Sequence, residues 1–395
     1  MLRALRLILV LAPLLALIGA AVMPREARTL PLFARKYSMQ CTQCHMAFPR
    51  LNAFGIAFRQ NGYRLEGDKG SSPWEDNVFP LSLVGNVGID YQRTSADNGS
   101  GGRTTTSTTQ FAQNAVEFHT AGTLAPGLTF HFDNGFAGPG GQLFSGMAFV
   151  QFDDLSSRGR LNVKAGIYDA EIPYISDSRR TTWAGYLTPA TLDGRGVELN
   201  GTNTGWTYAA GLINSDRTKG KAGATSLNNL ENTYAWMMRN LDGQLVTARV
   251  FFDRQDPRKV DETSSLHTMA QGSAYLGPHS NRWAVIPSYT YESFADADSS
   301  LTPMSDQAQT AMLEGIVKTG KDEKIVLTGR YELRHQAKLE TGTWTFPEED
   351  DRLITANVAY YYNPNARIVV DWAETGDNIH GPVVDLYKLF VHVGY

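Results

Sequence analysis

The residues best equipped for chemistry lie together near the start of the chain, as Cys41-Thr42-Gln43-Cys44-His45. Cys41 and Cys44 are the only cysteines in its 395 residues. Two thiols at this spacing can form a redox disulfide, but that use accompanies a βαβ pattern that the sequence lacks. A second chemistry accounts for all three residues. Two thiols add to the vinyl groups of a porphyrin, and the adjacent imidazole falls beneath its iron. Cys41 and Cys44 are therefore read as the attachment points of one haem c, and His45 as its proximal iron ligand.

A sixth ligand is harder to find. Neither Met nor His occurs from Ala47 to Phe118. Met46 adjoins His45 and cannot reach the opposite face; Met39 stays a candidate, although it lies on the wrong side of the attachment loop. Phe48, Leu51, Phe54 and Phe58 recur at three- and four-residue spacing, which predicts one apolar helix face. Such a face packs on whatever lies nearby. Over a haem it would also exclude water and raise the reduction potential. About 45 residues are too few to shelter so large an apolar group unaided. Cover, and with it a ligand, would come from the rest of the chain.

What must position these residues begins with an export signal. Arg3 and Arg6 precede an apolar run from Leu7 to Ile18, interrupted by Pro13 and followed by Gly19, Ala20 and Ala21. The run is about 16 residues long, short of the ~20 that cross a bilayer, so residues 1–21 read as a cleaved signal peptide. Residues 22–76 then form the haem segment and 77–395 a single large unit. A net charge of −4 excludes a phosphate-tracking surface, hence no nucleic acid partner is expected.

The large unit is patterned with period two. Leu81, Leu83, Val87, Ile89 and Tyr91 alternate with smaller or polar residues, as do Val246, Ala248, Val250 and Phe252, and then Ile325, Leu327, Tyr331 and Leu333. The chain ends on Tyr387, Leu389, Val391, Val393 and Tyr395. About sixteen such segments follow one another, most near the roughly 9–11 residues that a tilted spanning strand needs. Their connections alternate in length. Short turns such as Ala125-Pro126-Gly127, Asp242-Gly243 and Asn363-Pro364-Asn365 separate long polar stretches such as 94–108, 171–193, 215–230, 255–265 and 336–350. The expected fold is all-β, an outer-membrane antiparallel up-and-down β-barrel in bacterial lipid, with short periplasmic turns, long external loops and a short N-terminal helical haem c segment. The haem segment would hang in the periplasm or plug the lumen.

On the second and third strands, parity turns Val116, Phe118, Phe130 and Phe132 to lipid and Glu117, His119, His131 and Asp133 to the lumen. His392 on the last strand also points inward. Any of these histidines is a candidate distal iron ligand, with His131 and His119 foremost; the alternative is a lumen histidine bonded to a neighbouring carboxylate. Acidic residues recur in the loops, at Asp256, Asp261 and Glu262, at Asp296 and Asp298, and from Glu348 to Asp351. They could gather Fe²⁺ or simply be solvated. Arg179-Arg180 and the glycines around 99–102 read as loop residues without chemistry.

The stretch from Phe33 through Cys41, Cys44, His45, Met46, Phe48 and Leu51, continuing Asn52-Ala53-Phe54-Gly55-Ile56-Ala57-Phe58-Arg59-Gln60-Asn61-Gly62-Tyr63, resembles the fused monohaem cytochrome–porins of iron-oxidising bacteria. The resemblance implies an outer-membrane oxidoreductase that takes electrons from extracellular Fe(II) and passes them through one haem to a periplasmic cytochrome c or similar carrier. It implies haem attachment and ligation at Cys41, Cys44 and His45; it gives no position for the distal ligand. Two other readings stand beside it: a solute porin with a structural or sensory haem, and a conduit for a donor or acceptor other than Fe(II).

Overall fold

The structure, a computed structural model, describes residues 32–72, 80–97, 102–136, 144–156, 160–170, 172, 174–188, 193–214, 232–254, 265–278, 281–296, 305–340, 343–345, 351–363, 366–377 and 383–394. The expected signal peptide at 1–21 lies outside them. So do Asp256, Asp261, Glu262, Asp298, Glu348, Glu349 and Asp350.

Sixteen long antiparallel strands close into one barrel. In chain order they are β1 (Leu81–Asp97), β2 (Arg103–Ala125), β3 (Leu128–Phe136), β4 (Phe144–Phe152), β5 (Asn162–Asp169) and β6 (Asp193–Asn203). Next come β7 (Trp206–Asn214), β8 (Asn232–Leu241), β9 (Gln244–Arg254), β10 (Ser265–Tyr275) and β11 (Trp283–Asp296). The series ends with β12 (Ser305–Thr319), β13 (Ile325–Glu340), β14 (Asp351–Asn363), β15 (Ala366–Asp377) and β16 (Val383–Gly394). Each strand pairs with its sequence neighbour, and β16 closes on β1 with Leu389 opposite Ile89 and Val391 opposite Val87. Closure leaves no unpaired sheet edge, the condition for a sheet to cross lipid.

Alternation sets which side each residue takes. On β12, Thr310, Met312, Glu314 and Ile316 are buried inside, whereas Leu313 and Val317 are 54% and 46% exposed on the outer face. Val246, Val250 and Phe252 on β9, and Val358 and Tyr360 on β14, share that outer exposure. The inner face carries Arg249, Arg330, Glu332 and Asp371. An apolar outside around a polar inside is the pattern of a membrane barrel and the inverse of a soluble protein. The turn between β8 and β9 shows how tight the short ends are. Asp242 and Gly243 both take positive φ, 57° and 87°, as a two-residue primed hairpin requires, and the Gly243 N–H donates to Asn240 Oδ1 at 2.8 Å.

Two stretches depart from the sequence reading. The polar region 94–108 is largely strand: β1 runs on to Asp97 and β2 starts at Arg103, with Thr94 opposite Thr106. The connection after β5 does not stay outside. Its residues Ile172, Tyr174 and Ile175 are buried in the core, and Arg330 donates to Thr182 Oγ1, Ala184 O and Gly185 O at 3.0, 2.8 and 2.6 Å. The Trp183 N–H donates to Asp371 and the Thr188 N–H to Glu332, at 2.9 and 2.8 Å. Lumen-facing charges on β13 and β15 thus draw the loop into the barrel.

The described part of the N-terminal segment also lies inside. It comprises α1 (Leu32–Tyr37), α2 (Cys41–Cys44), a two-stranded ribbon pairing His45–Ala47 with Arg50–Leu51, and α3 (Ala53–Gln60). The apolar helix expected from Phe48 onward is shorter than its pattern. Pro49 has no N–H to give a helix, and Asn52 caps α3 by accepting from the Gly55 N–H at 2.9 Å. Phe48 and Leu51 therefore belong to the ribbon and its turn, and Phe54 and Phe58 to the helix. The segment meets the wall near the short turns: Tyr361 donates to Phe48 O at 3.1 Å, Thr129 to Gly62 O at 3.1 Å, and Arg35 to Leu81 O at 2.7 Å. Deeper in, Arg50 donates to the Tyr174 carbonyl and to the Glu314 carboxylate on β12.

Candidate cofactor cavity

A cavity of about 730 Å³ lies between the N-terminal segment, the inward loop and the barrel wall. That volume falls in the range of cofactor sites. Cys41 and Cys44, at the two ends of the single turn α2, both open onto it, as does His45. The turn is held from behind. Asn52 donates its side-chain amide to Gln43 O at 2.9 Å, and its backbone N–H donates to Cys44 O at 3.0 Å. Helix α3 packs against it so tightly that a Cβ at Gly55 would stand 2.1 Å from Cys44 O.

Both thiols are free. Burial raises their pKa above the ordinary value, and that of Cys44, beside Cys41, reaches about 11. They are thiols rather than thiolates at neutral pH, the form poorly suited to hold a metal directly. His45 Nδ1 is 3.1 Å from the Pro49 carbonyl, which fixes the ring and leaves Nε2 as the outward nitrogen. Burial lowers the His45 pKa to about 4, against smaller opposing backbone contacts, so the imidazole is neutral, the form that coordinates iron.

The remaining walls are aromatic and charged, with Asp169 and Asp177 beside the arginines. Phe33, Phe48, Phe58, Tyr63, Trp183 and Phe390 supply aromatic surface. Arg59, Arg179, Arg180 and Arg367 supply guanidinium groups. Arg180 donates from Nε and Nη2 to Trp183 O at 3.0 and 2.9 Å, and Arg367 donates to the Phe48 carbonyl. Burial, and after it neighbouring Arg59, together pull the Arg179 pKa down to about 9. A flat apolar ring system bearing two carboxylates complements such walls: aromatics for its faces, arginines for its acids. The donor set therefore fits a covalently held haem.

One cavity thus gathers residues from position 33 to position 394. Glu117, His119, His131, Asp133 and His392 all line it, as strand parity requires. His131 is engaged at both ring nitrogens, with Tyr63 Oη 2.7 Å from Nδ1 and Asp133 Oδ2 3.2 Å from Nε2. His119 lies between Glu117 and Asp133, at 3.3 and 3.6 Å. His392 stands beside Phe48, ring centroids 5.3 Å apart, and its buried Nε2 has no hydrogen-bond partner. Arg179 and Arg180, read from sequence as plain loop residues, are part of the wall. Of the acidic loop residues, the described Asp296 and Asp351 sit at strand ends.

No protein-family model matches the sequence, and no curated protein does. Solved structures do match the fold. A loop-deletion mutant of OmpT, an outer-membrane protein of Vibrio cholerae, superposes with a TM-score of 0.56 at 11% identity, covering 83% of this chain and 100% of that one. The outer-membrane channel DcaP of Acinetobacter baumannii gives 0.55 at 11% identity, over 80% and 97% of the two chains. An anion-selective porin from Comamonas acidovorans gives 0.51 at 11%, over 80% and 99%.

Proposed function

We propose that this chain, a porin-like barrel whose closed sheet and apolar outer belt belong in a bacterial outer membrane, is an outer-membrane cytochrome–porin carrying one haem c, and that it conducts electrons from extracellular Fe(II) to a periplasmic cytochrome c or similar carrier. One observation carries this reading: the Cys41–His45 motif opens onto a cofactor-sized cavity inside the barrel, with the inward loop packed over the segment that bears it.

Bound there, a haem would supply a one-electron centre whose potential the protein sets through ligand, burial and charge. Each residue's part follows from its place. Cys41 and Cys44 would hold the group covalently, against loss into the periplasm. His45, oriented through Nδ1 by Pro49, would present Nε2 to iron. Phe48, Phe58 and Trp183 exclude water from the cavity, and burial of this kind raises a haem potential. Arg59 and Arg367 would neutralise the propionates. The barrel supplies the passage through an insulating bilayer. Ferric iron is poorly soluble near neutral pH, so oxidising Fe²⁺ outside the cell keeps the precipitate outside too.

A second reading, a solute porin with a structural or sensory haem, is favoured by the channel fold of the matching structures. The contacts of Arg50 argue against it, because they tie the segment and the loop to β12 inside the barrel. The deciding experiment is a redox titration of purified protein with Fe²⁺ as reductant, alongside planar-bilayer conductance. The conduit reading expects reduction of the haem spectrum and little conductance. Steady open-channel current with a haem that Fe²⁺ never reduces would overturn it, and reduction by other donors alone would move the function to a different donor.

A further inference from the structure

The cavity wall holds a second constellation that the conduit does not require. Among the described residues, His119 on β2 with His131 and Asp133 on β3 offer two ring nitrogens and a carboxylate oxygen, all within 4.8 Å of one another. Asp133 Oδ2 stands 3.2 Å from His131 Nε2 and 3.6 Å from His119 Nδ1. Ligands bonded to a first-row divalent ion at about 2.0–2.2 Å stand roughly 3.0–3.5 Å apart, for bond angles between octahedral and tetrahedral. Both His–Asp pairs are therefore close to coordination spacing as they stand.

The atoms turned away from that point are held as well. His131 Nδ1 meets Tyr63 Oη at 2.7 Å, His119 Nε2 meets Glu117 Oε2 at 3.3 Å, and Asp133 Oδ1 accepts from the Met147 N–H. Metal-bound imidazoles characteristically give their second nitrogen to such partners, which fix tautomer and ring angle. The His131 ring is further clamped by Phe149, stacked at 5.3 Å with an interplanar angle of 6°, and by Tyr63 at 5.7 Å. Gly146 makes room for the arrangement, since a Cβ there would lie 2.0 Å from Asp133 Oδ1. Asp133 and Glu117 bring two carboxylates to the site, while Arg59, in electrostatic reach of His131, opposes a cation.

We propose that His119, His131 and Asp133 form a binding site for a first-row divalent cation, a two-histidine, one-carboxylate set with coordination positions open to the cavity. Imidazole with carboxylate selects ions such as Fe²⁺ and Zn²⁺ over Ca²⁺ and Mg²⁺. Tyr63 and Glu117 act as positioning residues. Under the function proposed above, and resting on it, a cation held here would lie in the haem's own cavity and favour its reduced state through its charge. The site itself does not depend on that reading.

The test uses the purified haem-bearing protein in detergent, dialysed against Zn²⁺ and then analysed for bound metal, with Ca²⁺ as the contrast. The parent is expected to retain one Zn²⁺ per chain and no Ca²⁺. Asp133→Asn and His131→Asn are expected to lose it, and Tyr63→Phe to bind it about 10–100-fold more weakly. Barrel folding in each variant is checked by heat-dependent gel migration. A parent without Zn²⁺ above background, or an Asp133→Asn protein that binds as the parent does, overturns the proposal and leaves a hydrogen-bonded network. Stopped-flow reduction by Fe²⁺ separates the two readings. Slower reduction in Asp133→Asn, with dithionite reduction unchanged, supports a bound cation that favours haem reduction. No reduction by Fe²⁺ in either protein counts against the conduit while the Zn²⁺ result stands.

Discussion

Arg50 of the N-terminal segment and Glu314 of strand β12 form an ion pair with both side chains removed from water, at 1% and 0% exposure. The same guanidinium also donates to Tyr186 Oη at 2.8 Å and to the Tyr174 carbonyl. Segment, loop and wall are therefore pinned together at a single side chain. Breaking a buried pair from one side typically costs about 3–5 kcal/mol, because the other charge is left uncompensated. Here Arg330, 3.7 Å from Glu314, softens the loss. Arg50→Met should release the plug at the lower end of that range. The expected result is intermittent channel opening in planar bilayers where the parent is quiet, together with faster proteolysis of the segment. Arg50→Met combined with Glu314→Gln should restore part of the closure. Equal conductance in parent and single variant would show that the segment does not seal the pore.

Gly55 offers a sharper test of how the attachment turn is held. A Cβ there would meet Cys44 O at 2.1 Å, a backbone atom that cannot swing aside. Gly55→Ala should push α3 from α2 and cut the yield of covalently attached haem several-fold, measured as haem per folded barrel. Gly315→Ala, where a Cβ meets nothing within 4 Å, is the control and should leave the yield unchanged.

Much of this was legible in the sequence because it is encoded locally. Alternation along β1, β9 and β13 needs only neighbouring residues to be read, and Asp242-Gly243 announces its own turn. The Cys41–His45 stretch that opens onto the cavity is five consecutive residues. What escaped reading depends on distant partners. The loop after β5 has ordinary polar composition whether it projects outward or folds inward; its place is decided by Arg330, Glu332 and Asp371, buried charges on other strands that need hydrogen bonds. Those inward-facing charges were the available signal for Arg179 and Arg180. In 94–108, the β-branched run Thr104-Thr105-Thr106 favours strand, and weighting it above polarity would have extended β1 and β2. Pro49 and Asn52 likewise marked where α3 had to begin.

If Cys41 and Cys44 hold a porphyrin by thioether bonds, the pigment must survive denaturation. The parent should show a haem-stained band after boiling in detergent. Cys41→Ala and Cys44→Ala should each lose most of it. Neither residue takes part in a barrel ladder, so both variants should still show the heat-shifted migration of a folded barrel. Stain that persists in the double variant would mean that the pigment is attached elsewhere.

The outer belt gives a test of the membrane placement that is independent of any cofactor. Leu313 sits mid-strand on β12, opposite Pro287 and Tyr331, and points away from the lumen. In lipid, an arginine near the bilayer midplane of a barrel costs about 2–4 kcal/mol; at a water-facing strand position it would cost little. Leu313→Arg should therefore lower the stability of protein refolded into vesicles by roughly that amount, read as a drop in the urea midpoint with unchanged slope. The same substitution nearer a strand end, Leu241→Arg, should cost ~0–1 kcal/mol. Leu241 closes β8 at the short Asp242-Gly243 turn, where the side chain reaches the interface. A flat response at both positions would mean that Leu313 faces water and that the apolar belt is not buried in lipid.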